Sequence, residues 1–99
     1  MTTIHFQAVN YSANIKLKEF TQQRLDKLSQ FYNHIIEVFV YTKVENTSNG
    51  INKWAELKIA IPGDDVVVKK ICKTFEEAIS SAADSAERIL KKRKEKIRA

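Results

Sequence analysis

The residue types that could do chemistry crowd into the last twelve positions. Arg88, Lys91, Lys92, Arg93, Lys94, Lys96 and Arg98 stand there against Glu95 alone, whereas residues 1–87 hold ten Lys/Arg against eleven Asp/Glu. The net charge of +5 therefore lies entirely at the C-terminal end. On a helix, Arg88, Lys92 and Lys96 form a stripe spaced by four, and the other cations widen it. Stacked like charges cost about a few tenths of a kcal/mol for each i,i+4 pair, a cost that a polyanion would offset. The bland alternative is a solvated helix end whose cations suit the C-terminal dipole. Phosphate binding is favoured because only one acid is present to make intrahelical pairs. Arg93 also falls near the centre of the apolar arc, at a point expected to lie beyond the cover of a sheet. Earlier in the chain, Arg24 lies inside an apolar arc between Phe20 and Leu28, with Lys27 at its edge. Arg24 either snorkels over the core or lines a groove shared with the second basic segment.

Other chemistry finds little support. His5, His34 and Cys72 show no ligand spacing, no nucleophile motif occurs, and a chain with two glycines has no phosphate-cradling loop. The expectation is a protein that is not an enzyme, with no catalytic residues, metal, cofactor or small-molecule substrate. Phe39, Tyr41 and Trp54 share one face of predicted strands. Aromatics so placed can stack bases, but the RNA-recognition pattern with its glycines is missing, and cross-strand pairing or a protein contact explains them better. No apolar run reaches membrane-spanning length and the first residues lack the pattern of a secretory signal. With a single cysteine, a reducing cytoplasm is the natural setting, and Asn46-Thr47-Ser48 reads as a polar loop rather than a glycosylation site.

These side chains must be positioned by a small set of elements. Ninety-nine residues, 43% hydrophobic and 29% charged, suit a single folded domain spanning 1–99. Ile4, Phe6 and Ala8 alternate with His5, Gln7 and Val9, the period of a strand. After a polar turn at Asn10 to Asn14, Leu17, Phe20, Leu25, Leu28, Phe31, Tyr32 and Ile35 trace one side of a helix that ends near Asn33. Ile36, Val38, Val40, Thr42 and Val44 restore period two, and residues 45–52 read as a loop. Ala55, Leu57, Ile59 and Ile61 mark the next strand. Pro62-Gly63 fits the centre of a type II turn, returning the chain into a strand over 66–72. Thr74 and Glu77 form a capping box ahead of Phe75, Ala78, Ile79, Ala82, Ala86, Ile89, Leu90 and Ile97, a helical face over 75–97. That helix would extend about 35 Å and overhang its sheet. The order β-α-β-β-β-α, with two amphipathic helices seeking one apolar surface, predicts an α+β sandwich: a four-stranded sheet with both helices on one face.

The chain also resembles a known family along nearly its whole length. The resemblance is carried by Lys18-Glu19-Phe20, Arg24-Leu25-Asp26-Lys27-Leu28, Phe31-Tyr32, the strand Val38 to Glu45, Glu77-Ala78-Ile79, and Arg88 through Ile97. Together these are similar to the hibernation-promoting factor and ribosome-associated inhibitor A family, also called the sigma-54 modulation family. The resemblance implies a double-stranded-RNA-binding-like sandwich that binds small-subunit rRNA between head and body, occludes the mRNA and tRNA positions, and keeps idle ribosomes in reserve during stress or stationary phase. It places RNA contacts at Arg24 and Lys27 and at Arg88, Lys92, Lys94 and Lys96, which Lys91 and Arg93 adjoin. The segment Lys73-Thr74-Phe75-Glu76 departs from the acidic and aromatic signature that usually opens the second helix, as do Ser80 and Ser85. Ending at Ala99, the chain looks like the short type and is expected to be a monomer in isolation. The family's alternative name implies a competing function, regulation of a transcription factor through the aromatic sheet face.

Overall fold

Burial alternates along each strand because successive side chains point to opposite faces, and this alternation builds one apolar surface. In the computed structural model, which describes residues 2–45 and 52–98 with side chains through Glu95, the elements are β1 (Ile4–Ala8), α1 (Ile15–Phe31), β2 (Glu37–Val44), β3 (Lys53–Ile61), β4 (Asp64–Cys72) and α2 (Phe75–Arg98). The sheet order is β1-β2-β3-β4. β1 runs parallel to β2, with Ile4 opposite Val38, and the other pairs are antiparallel. Val38, Val40, Leu57, Ile59, Val66 and Val68 form the sheet side of the core, and Leu25, Leu28, Ala82, Ala86 and Leu90 close it from the helices. Both helices therefore cover one face, as the residue pattern predicts.

Local chemistry sets the element ends. Asn14 caps α1 by accepting the Leu17 N–H at 2.8 Å, satisfying one of the orphan donors of the first turn. Thr74 does the same for α2, accepting the Glu77 N–H at 3.1 Å. Gly63 has φ +79°, the positive value that the second central position of a type II turn requires. Asn10 acts as an added rung of the sheet: its side-chain oxygen accepts the Val44 N–H at 2.9 Å and its amide donates to the Val44 carbonyl at 2.8 Å. Tyr11 stacks on Phe75 with centroids 4.4 Å apart and its hydroxyl meets Thr42 Oγ1 at 2.7 Å, so the approach to α1 is tied to the start of α2. Ala78, Ala82, Ala83 and Ala86 are all fully buried. Their small side chains let α2 press closely against its neighbours.

Several boundaries differ from the sequence expectation. α1 stops at Phe31, where Tyr32 leaves helical geometry at φ −128°, rather than near Asn33. Ile36 precedes β2 and is 60% exposed instead of joining the core. β4 begins at Asp64, not Val66, because the tight turn lets Ile61 pair directly with Asp64. Ile89 is 40% exposed rather than packed. The proposed loop over 45–52 lies largely outside the described residues, as do Asn46-Thr47-Ser48 and the side chains of Lys96, Ile97 and Arg98.

Candidate nucleic-acid interface

The cations predicted from sequence divide into two groups according to what they touch. Arg24 and Arg93 are held by acids. Arg24 projects from α1 to Asp84 of α2, Nη2 to Oδ1 at 2.5 Å, with its side chain 18% exposed. Its second terminal nitrogen, Nη1, is buried and has no hydrogen-bond partner among the described residues. A buried donor left unpaired is costly, so the N–H groups of this nitrogen would gain from an anion's oxygen if a partner opened a path to them. Arg93 forms an ion pair with Asp64 at the start of β4. The expectation that Arg93 lies beyond the sheet is therefore corrected: its side chain meets Asp64, where β4 leaves the β3–β4 turn. The N–H of Asp65, followed by Arg93, holds the Asp64 carboxyl below its ordinary pKa.

The second group is free of acidic partners. Lys27, Arg88, Lys91 and Lys92 are exposed and make no ion pair among the described residues; Arg88 hydrogen-bonds Ser85 Oγ at 3.3 Å. Lys94 is half-buried, with Nζ 5.1 Å above the Phe31 ring and 3.3 Å from the Phe31 carbonyl oxygen. Phe31, Lys91, Lys94 and Glu95 line a shallow recess of ≈ 210 Å³ where the end of α1 meets α2. Phe20, Gln23, Arg24 and Lys27 line another of ≈ 190 Å³ on α1. At 100° per residue the unpaired cations from Lys94 to Lys92 sweep roughly 160° of the α2 circumference. They form a broad positive surface on the helix layer.

The opposite face of the sheet is different in kind. His5 stacks on Phe39 with centroids 4.7 Å apart and hydrogen-bonds Glu37 at 2.7 Å. Lys43 lies 4.1 Å over the Trp54 ring and pairs with Glu45 at 3.5 Å. Lys58 meets Asp65 at 3.9 Å and Lys69 meets Glu56 at 3.6 Å. These cations have local partners, so the aromatic face presents little unmatched charge to a polyanion. Asp84 and Asp64 are the ion-pair partners of the candidate site that sequence reading missed. Their arginine partners stand 60 and 29 positions away, and only the packed fold brings them together. No group of three or more His, Cys, Asp or Glu able to hold a metal occurs among the described residues, and none of their helices is long and apolar enough to cross a membrane.

A four-stranded mixed sheet covered on one face by two helices, with a cation-rich helix layer and a charge-paired sheet face, defines an α+β sandwich domain. The chain belongs to the sigma 54 modulation protein / S30EA ribosomal protein family, whose model matches residues 4–98. Its fold is similar to that of a ribosomal subunit interface protein from Coxiella burnetii, with a TM-score of 0.81 and 15% identity over 94% of this chain and 98% of that one. It is also similar to the N-terminal domain of Protein Y from Thermus thermophilus, with a TM-score of 0.71 and 20% identity over 93% of this chain and 98% of that one. No curated protein sequence matches significantly.

Proposed function

We propose that this protein binds the small ribosomal subunit through its helix layer and silences translation by occupying space. The unpaired cations Arg88, Lys91 and Lys92 on α2, joined by Lys27 on α1, are the observation that carries the reading. Lys94 extends the same surface, Lys96 is the next cation in the sequence, and Arg24, whose Nη1 has no partner among the described residues, supplies a donor at its α1 border. Arg93 serves first to anchor α2 to the hairpin. Family membership, and a similar fold in a protein described as a ribosomal subunit interface protein, support a ribosomal partner over an arbitrary polyanion.

Phosphate contacts position a protein without reading sequence. Selectivity for the ribosome then comes from an rRNA cleft, between head and body, whose shape accepts a rigid helix pair and whose filling excludes mRNA and tRNA. Such a protein acts in the cytoplasm, needs no cofactor, membrane or small-molecule substrate, and leaves the RNA chemically unchanged. Regulation of a transcription factor through the sheet face is not favoured, since the charges there are already paired. Co-sedimentation with ribosomes through a sucrose gradient tests the reading. The protein should travel with small subunits at low salt and leave them as salt rises; sedimentation only at the top of the gradient under all conditions would refute it.

A further inference from the structure

β4 is an unprotected sheet edge. It is nine residues long, pairs with β3 from Asp64 to Cys72 without a bulge, and has no strand on its outer side among the described residues. Edges of this length are commonly blunted by proline, bulges or charges, since unpaired backbone groups invite another strand. Here neither proline nor bulge is present. Apolar residues are instead exposed along it: Val67 is 49% and Ile71 46% exposed, both on the open face of the sheet. On the helix side, Ile89 is 40% exposed. It sits one turn before Arg93, which reaches Asp64, so Ile89 also lies above β4.

The charges along this strand are ordered in a way that names its partner. Residues 64–70 read Asp-Asp-Val-Val-Val-Lys-Lys, with acids at one end, cations at the other and valines between. Set beside a second copy in parallel, the sequence places like charges together. Set antiparallel about Val67, it places Val67 opposite Val67, Val66 opposite Val68, Asp65 opposite Lys69 and Asp64 opposite Lys70. Residues directly opposite in an antiparallel pair share a face. The Asp65–Lys69 pairs therefore form on the open face, beside the exposed Lys58–Asp65 and Lys69–Glu56 contacts within each copy, and the Asp64–Lys70 pairs on the helix face, where Asp64 also meets Arg93, each made twice by the two-fold axis. Edge lysines alone would deter a neighbouring strand; with aspartates at the far end, this is the one antiparallel register that keeps both helix layers on the same side and sets both acids opposite lysines. We propose that the protein self-associates through β4, joining two sheets edge to edge in an antiparallel register centred on Val67. This replaces the monomer suggested by sequence alone, and it stands independently of the ribosomal reading because it uses neither α1 nor the unpaired cations.

The test is a charge exchange on the solvent-facing pair, read by sedimentation velocity of the full chain at low salt over a range of concentrations. Wild-type protein should show a concentration-dependent dimer. Lys69→Glu sets acid against acid across the seam, and Asp65→Lys sets cation against cation, so each variant alone should dimerise roughly tenfold or more weakly. Mixed in equal amounts, the two variants are complementary again at both positions and should form a mixed dimer at wild-type strength or better. Both residues are exposed, and circular dichroism checks that each variant remains folded. Wild-type protein that stays monomeric at every concentration would overturn the proposal. So would variants that dimerise like wild type, or a mixture that fails to restore association.

Discussion

Arg93, near the end of α2, is ion-paired with Asp64, the first residue of β4. A residue that sequence alone assigns to a free basic tail is thereby tied to the β3–β4 turn. Arg93→Ala should loosen this end of the helix while leaving the core intact. Amide hydrogen exchange at residues 91–95 should speed up, with the protection of β3 unchanged. Equal protection in the variant and the wild type would show that the pair does not anchor the helix.

Replacing Arg88, Lys92 and Lys96 together by alanine should weaken ribosome binding without unfolding the domain, since solvated charges contribute little to stability. Arg88 and Lys92 have no acidic partner among the described residues, so their loss breaks no ion pair there. Co-sedimentation of the folded triple variant at wild-type levels would remove this stripe from the mechanism.

The core should respond on a different scale. Leu57 and Leu90 are fully buried, at the centre of the sheet and at the last apolar turn of α2 before the overhang. Either one changed to alanine should cost about 2–5 kcal/mol, measured by urea denaturation. A loss well below that range at Leu90 would mean that this turn of α2 does not rest on the sheet.

Acid should destabilise the fold through particular carboxylates. Asp26 is held below its ordinary pKa by the Thr2 N–H, against a smaller opposing effect of desolvation and with help from Gln22. Asp64 is lowered by the Asp65 N–H and Arg93. A carboxylate whose folded pKa is depressed contributes stability above its unfolded pKa of about 3.9 and loses it as pH falls through the folded value. Stability should therefore decline below about pH 4, and Asp26→Asn should flatten part of that decline. An unchanged acid limb in the variant would contradict the assignment.

The strands and helices were legible in the sequence because their signals are local. The alternation of Val38, Val40 and Thr42, the Asn14 and Thr74 caps and the Pro62-Gly63 turn each act within a few residues. The α2 cations of the candidate interface were legible too, as a charge imbalance. What each cation touches was not. Asp84 and Asp64 look like ordinary solvated acids until packing sets them against Arg24 and Arg93. Ile36 and Ile89 fit the apolar periodicity but lie at margins where the opposing layer no longer covers them, and periodicity carries no information about where that cover ends.

The central claim, that unpaired cations of the helix layer bind rRNA phosphates, is tested most directly by the salt dependence of affinity for the small ribosomal subunit, compared between the full chain and a chain ending at Leu90. Leu90 is fully buried and remains, whereas Lys91 to Ala99 are removed along with the Arg93 anchor. If the full chain neutralises about four to six phosphates, log K against log salt should fall with a slope of roughly −3 to −5. The shortened chain should remain folded and lose most of both its affinity and that slope. A shortened chain that binds as tightly, with the same slope, would contradict the account and place the RNA-binding surface elsewhere on the protein.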